Sequence, residues 1–350
     1  MFRFFEFTAK TRLVSFISVL AIVLLLSTST ALYPTAYAAS SSKLLLNSST
    51  CTNNFGGSWS SSTSTCTITG SASLPARMTL TIPSGTTLEI SNTGHYSTGF
   101  TNAGTVKNEG TIIISNTGFG SKGLANAGTI KNDGTFTISN TGVLSSGLDN
   151  GGSVMNRGEI IVNGPCDSAI ENSGTVKNVG TITISNSGAF GFNNFPGGRV
   201  INSGTIIVDY TGTVDSGFVN SGTINNGGMI IISNTGEMSN GFLNAGTVHN
   251  EGKITISNSG SDSVGFNAFF GTVNNDGIIT ISNSGSSTGL QNGGTVRNDG
   301  AITISNTGTQ STGFYSFGTV KNDGTITNCG GALGWVNDGT LIGHPIASCS

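Results

Sequence analysis

The chain has 350 residues, of which 9% are charged and 53 are glycine, and its 14 basic and 17 acidic side chains leave a net charge of −3. An average soluble protein is about a quarter charged, so the polarity here comes from Ser, Thr, Asn and Gly. That balance excludes a nucleic-acid binder working through a basic patch, which needs many phosphate contacts, and three histidines leave little for His-based catalysis or metal binding.

Residues 1–38 read as an export signal. Arg3, Lys10 and Arg12 form a basic start, Leu13 to Leu26 an apolar run, and Ala36-Tyr37-Ala38 a small-residue cleavage motif that places the mature start at Ala39. The apolar run is shorter than the roughly 20 residues a spanning helix needs; an uncleaved anchor is the alternative. No second hydrophobic stretch follows, so no stable membrane insertion is expected after cleavage, and the expected location is secreted, extracellular or at the cell surface.

Residues 39–82 are predicted to form an N-terminal cap with the first strands. Cys51 and Cys66 bracket a short segment there, and Cys329 and Cys349 lie near the other end. A pair at each end reads as two disulfide staples, Cys51–Cys66 and Cys329–Cys349, formed in an oxidising compartment. A zinc site is the competing reading, but the sequence contains no C-x-x-C, and no metal or cofactor is expected. Cys166 is left over, either free or paired between chains. Asn47-Ser48-Ser49 is a sequon that marks Asn47 as an N-glycosylation acceptor.

Residues 83–328 are a repeat. Ile-Ser-Asn-Thr/Ser-Gly recurs from Ile90, Ile114, Ile138, Ile184, Ile232, Ile256, Ile281 and Ile304, with degenerate copies at Val162 and Val208 and Asn328 in the last equivalent place. Gly-Thr-Val/Ile-x-Asn-x-Gly keeps the same beat of about 24 residues. Inside one copy the alternation has period two: Phe100, Asn102, Val106, Asn108, Ile112 and Ile114 share one face, whereas Thr101, Lys107, Glu109 and Ser115 share the other. Period two means strands with one face inward. So few large apolar residues per copy cannot close a core alone, so each copy must stack on the next. The expectation is an all-β chain, a single-stranded parallel β-helix (β-solenoid) of about eleven coils. Its inward asparagines, Asn108 to Asn322, would form a hydrogen-bonded ladder, with glycines supplying positive φ at the corners and disulfide-stapled caps. Residues 329–350 would be the C-terminal cap, with Trp335 over the last rung.

The entry Thr81-Ile82-Pro83-Ser84-Gly85-Thr86-Thr87-Leu88-Glu89-Ile90, followed by N-x-G-T-I/V coils, resembles secreted right-handed parallel β-helix proteins of the pectate-lyase-like superfamily, and is especially similar to their adhesin-like, non-enzymatic members. Such motifs specify corners and core, and fold alone does not choose a function. The enzymatic members imply an Asp-Asp pair, a nearby histidine and an R-x-K element, and these are missing here.

Three candidate sites stand out. Asp149 and Glu171 occupy equivalent outward places in neighbouring coils, where like charges repel and raise one pKa, as catalytic pairs do; Arg157 is the basic residue near them in sequence. Second, Phe195, Val219 and Leu243 are expected to continue the same outward column as an apolar stripe, an interface unless the segment Phe190–Asn193 folds over it. Third, the acids Glu109, Asp133, Glu251, Asp276, Asp299 and Asp323 form one column beside Lys107, Lys131, Lys177, Arg297 and Lys321, a pattern that suits a solvated face. The expected function is an exported structural or adhesive column presenting repeated polar rows to a glycan or a cell-envelope protein. Catalysis and nucleic-acid binding are not expected, and self-association is compatible with the pattern. A polysaccharide lyase or glycoside hydrolase of the same fold, or a purely architectural envelope or matrix component, is the alternative.

Overall fold

The computed structural model describes residues 42–349, apart from 93, 117, 141, 165, 166, 187, 211–215, 235, 259, 284–287, 307, 309, 310 and 331–333. The proposed signal segment and Cys166 lie outside the described residues.

Period-two alternation resolves into three strands per coil, and the coils stack into three sheets of a β-solenoid, parallel apart from the edge strand Ser58–Ser60, which pairs antiparallel. Sheet A contains Thr105–Asn108 and its equivalents, sheet B contains Thr111–Asn116 and its equivalents, and sheet C contains Thr98–Asn102 and its equivalents; they have 13, 14 and 12 strands. The register is in phase from coil to coil: Val106 faces Ile130 and then Val154, and Ile114 faces Ile138 and then Val162. Asn328 takes the place of Ile304, as the repeat predicted.

The interior is built from columns rather than from one compact cluster. Sheet A contributes valines and isoleucines, sheet B two columns mainly of isoleucine, and sheet C a column of Phe and Leu, nearly all fully buried. Phe192, Phe218, Phe242 and Phe266 stack with centroids 4.6, 5.1 and 4.8 Å apart. β-branched residues suit this packing because their restricted rotamers repeat without cost on a pleated surface.

The expected asparagine ladder is present. From Asn108 to Asn322 each Nδ2 donates to the Oδ1 one coil further on, at 2.7–2.9 Å. The chain of amides has a polarity. Asn108 Oδ1 has no partner because the rung before it offers Ile82, and the last Nδ2, on Asn322, donates to the His344 carbonyl. A second ladder runs from Asn102 to Asn244 along sheet C at 2.7–2.8 Å and stops where Ala268 stands in place of asparagine.

The corner glycines have a different cause from the one predicted. Gly110, Gly134, Gly158 and their equivalents do not adopt positive φ. They are needed for closeness: a Cβ on Gly134 would lie 2.1 Å from the carbonyl oxygen of Gly110. Stacked corners bring backbone over backbone, and only a missing side chain permits it.

Both predicted disulfides, Cys51–Cys66 and Cys329–Cys349, are present. A helix that the repeat-based reading did not anticipate, α1 (Ser48–Phe55), lies at the N-terminal end. Asn47 caps it, its side chain accepting from Thr50 N at 2.9 Å, and Gly56 closes it at φ 65°. At the other end Trp335 pairs in register with Phe314 and continues the aromatic column, 37% exposed because no rung follows it.

Candidate functional site

The outer face of sheet C carries the carboxylate pair. Asp149 and Glu171 are direct register partners, so one rung, about 4.8 Å, separates their Cα atoms. A second outward column, three residues earlier in each strand, places Lys122, Ser146 and Ser168 beside them. Lys122 Nζ forms an ion pair with Asp149. Glu171 is held above its ordinary carboxylate range, first by burial and further by the Asp149 charge, while hydrogen bonds from Ser146 and Ser168 and the Lys122 charge oppose the rise. Asp167 is raised as well, by burial.

Lys122, Ser146 and Ser168 escaped the sequence reading for a definable reason. Strict alternation assigns even-numbered Lys122 to the inside. In these strands, however, the glycine and the large apolar residue after it both face inward, as the recurring burial of Gly123 and Leu124 shows, and this shifts the phase by one. The Gly-Phe/Leu pair that recurs near the start of most sheet C strands, with Ala169-Ile170 in its place beside Glu171, is the signal that could have revealed it.

Arg157 does not join the pair. It sits in the turn between sheets A and B, where its guanidinium lies 3.4 Å from Asp133 of the coil below. The apolar stripe is shortened too. The residue in register with Glu171 is Asn193, followed by Val219 and Leu243, whereas Phe195 falls in the turn after its strand. Asn193 follows Glu171 by 22 residues and Val219 follows Asn193 by 26, the excess including the turn Phe195-Pro196-Gly197-Gly198, so a uniform step of 24 lands on Phe195 instead of Asn193. Phe190–Asn194 is itself a strand of sheet C with Phe192 fully buried, so it does not fold over Val219 and Leu243, which remain half-exposed neighbours.

The charged columns lie where they were expected, Lys107 facing Lys131 on sheet A and Arg297 facing Lys321. Lys321 reaches Asp323 at 3.1 Å within one coil. No group of three or more His, Cys, Asp or Glu side chains converges on a metal position among the described residues. A shallow groove of about 770 Å³ follows the corner between sheets A and B, floored by Gly228, Gly252 and Gly277 and edged by Met229, Glu251 and Asp276. It is distant in the fold from Asp149 and Glu171, which sit part-buried on the face of sheet C. Asn47 is exposed, and its Oδ1 serves the helix cap.

No protein-family model, curated protein or solved structure matches this chain. Fold and surface chemistry therefore define its class: a parallel β-solenoid repeat protein with internal asparagine ladders. Its two disulfides indicate oxidising surroundings, and no described helix is long and apolar enough to cross a membrane.

Proposed function

We propose that the protein is an exported, non-catalytic structural or adhesive column, acting by presenting its outward polar rows to a glycan or a cell-envelope protein. The observation that carries this reading is the division of labour among polar groups. The asparagines are buried and bonded along the ladders, whereas Thr and Ser recur outward in register on most rungs, interrupted at places such as Glu159, Arg199, Met229 and Lys253. Weak contacts repeated at one spacing add through avidity without any single strong site.

The second reading is polysaccharide cleavage at Asp149 and Glu171, favoured by the raised Glu171 carboxyl beside a second acid. Lys122 engages Asp149, and no basic partner from Arg157 reaches the pair, which weakens that reading. Incubation with a polysaccharide panel, scoring both retention and new chain ends, tests the proposal. Retention without new ends supports it. New ends that vanish in Asp149→Asn would replace it with the enzymatic reading, and neither signal would leave an architectural role.

A further inference from the structure

The outer face of sheet B differs from the other two. Each strand from Thr65–Thr69 to Thr325–Gly330 turns three side chains outward, a threonine-rich column, a middle column and a serine-rich column. From Ile113 to Thr327 the middle column contains only threonine and isoleucine, every one half-exposed. Among the outward positions of this face the charged residues are Glu89, Glu159, Asp209 and Lys253, and there is no aromatic side chain.

β-branched residues have restricted χ1 rotamers, so a column of Thr and Ile in register is a row of methyl groups at the rung spacing of about 4.8 Å. Across the columns, alternate residues of a strand repeat at about 6.6 Å. The result is a two-dimensional array of methyls and hydroxyls with two fixed repeats. Among the described threonines of the middle column, Thr67 alone makes a side-chain hydrogen bond within the chain, to Glu89. The other hydroxyls are left to whatever lies against the face.

The occupant must therefore be neutral, periodic and able to hydrogen-bond. A second copy fits less well: it would bury Glu159, Asp209 and Lys253 in one seam, and any of these charges left unpaired there would cost several kcal/mol. A polyelectrolyte finds almost no charge to pair with. We propose that the sheet B face binds ordered water, namely the surface of ice, whose oxygen repeats along and across the prism plane are close to the two repeats of this array. The methyl rows would hold a water layer between them while the hydroxyls join its hydrogen bonds.

The test is partition into a slowly grown ice crystal, comparing the whole chain with a non-binding protein of similar size and following recrystallisation in parallel. The chain is expected to enter the ice at several times the control's concentration and to keep crystals small. Thr183→Lys with Ile231→Lys, both in the middle column, should return partition to the control value. Thr247→Lys with Thr319→Lys, on sheet A, should not. Far-UV circular dichroism establishes that both variants fold; should the middle-column pair fail to fold, the larger Thr183→Tyr alone serves in its place. Exclusion of the native chain from ice, or equal behaviour of the two variants, overturns the proposal. So does loss in the middle-column variant of binding to microcrystalline cellulose with no ice partition, which would assign the face to a neutral crystalline polysaccharide.

Discussion

Neighbouring glycines at one corner give the sharpest test of how the coils stack. A Cβ on Gly228 would lie 2.2 Å from the carbonyl oxygen of Gly204, whereas a Cβ on Gly227 meets nothing nearer than Asn202 O at 3.9 Å. Since real Cβ atoms do not approach within 3.0 Å, Gly228→Ala must open the rungs locally by about 0.8 Å, the difference between 3.0 and 2.2 Å. Three backbone bonds cross that gap: Met229 N to Gly204 O at 2.8 Å, and Gly227 N and Gly228 N to Asn202 O at 2.8 and 3.0 Å. Stretched by that amount they cease to be hydrogen bonds. At about 0.5–1.5 kcal/mol each, the loss is about 2–4 kcal/mol. Gly227→Ala should instead be neutral, or stabilise by up to about 1 kcal/mol through reduced freedom of the unfolded chain. Guanidinium unfolding followed by far-UV circular dichroism measures both. Equal midpoints for the two variants would refute the close-stacking account of the corner glycines.

The interior ladder makes a parallel prediction. Asn226→Ala orphans Asn250 Oδ1 and removes one acceptor of Asn202 Nδ2, which keeps the Gly204 and Met229 carbonyls, so it should cost about 2–4 kcal/mol, one orphaned buried group at about 1–3 and one lost hydrogen bond at about 0.5–1.5. Outward Asn225→Ala should stay within about 0.5 kcal/mol in the same unfolding assay. The Glu171 carboxyl is raised in the folded state, so the fold binds its proton more tightly than the unfolded chain does. Its contribution to stability is therefore greatest at pH values below the ordinary glutamate value of 4.5 and falls as pH rises through the interval from there to the raised value. Glu171→Gln should accordingly raise the unfolding midpoint at neutral pH and leave it little changed at low pH, which a pH series of thermal melts would show. Replacing Cys51 and Cys66 together by Ala opens a loop of 15 residues' separation and should cost about 3 kcal/mol, read as a lower melting temperature of the oxidised protein relative to native.

Much of this architecture was legible because a repeat multiplies its own evidence. A single Val106 or Asn108 says little, but the same residues at a fixed beat define an inward face, a ladder and a period, and all three are present. Local features that depart from the beat were harder to read. Helix α1 is set by one cap residue, Asn47, and a C-terminal Gly56 outside the repeat. Phe195 was misplaced because an extra turn cannot be located by counting alone. The role of the corner glycines was hidden for a deeper reason. Positive φ is a property of one residue and can be inferred locally, whereas the approach of Gly134 to Gly110 exists only after two coils have stacked. The candidate site shows the same limit: Asp149 and Glu171 were found from spacing, but Lys122 required knowledge of where the strand changes phase.

The central claim is that binding comes from repetition rather than from one site, and removing one whole coil tests it most directly. Deleting residues 229–252 joins Gly228 to Lys253 and removes one rung from each sheet while leaving Asn226 to face Asn275 in the shortened ladder. The shortened column should fold with nearly unchanged stability per coil. Its retention on whichever ligand the polysaccharide or envelope panel identifies should fall measurably, and again with each further coil removed. Retention that is indifferent to coil number but abolished by Glu171→Gln would contradict the account and locate function in a single site.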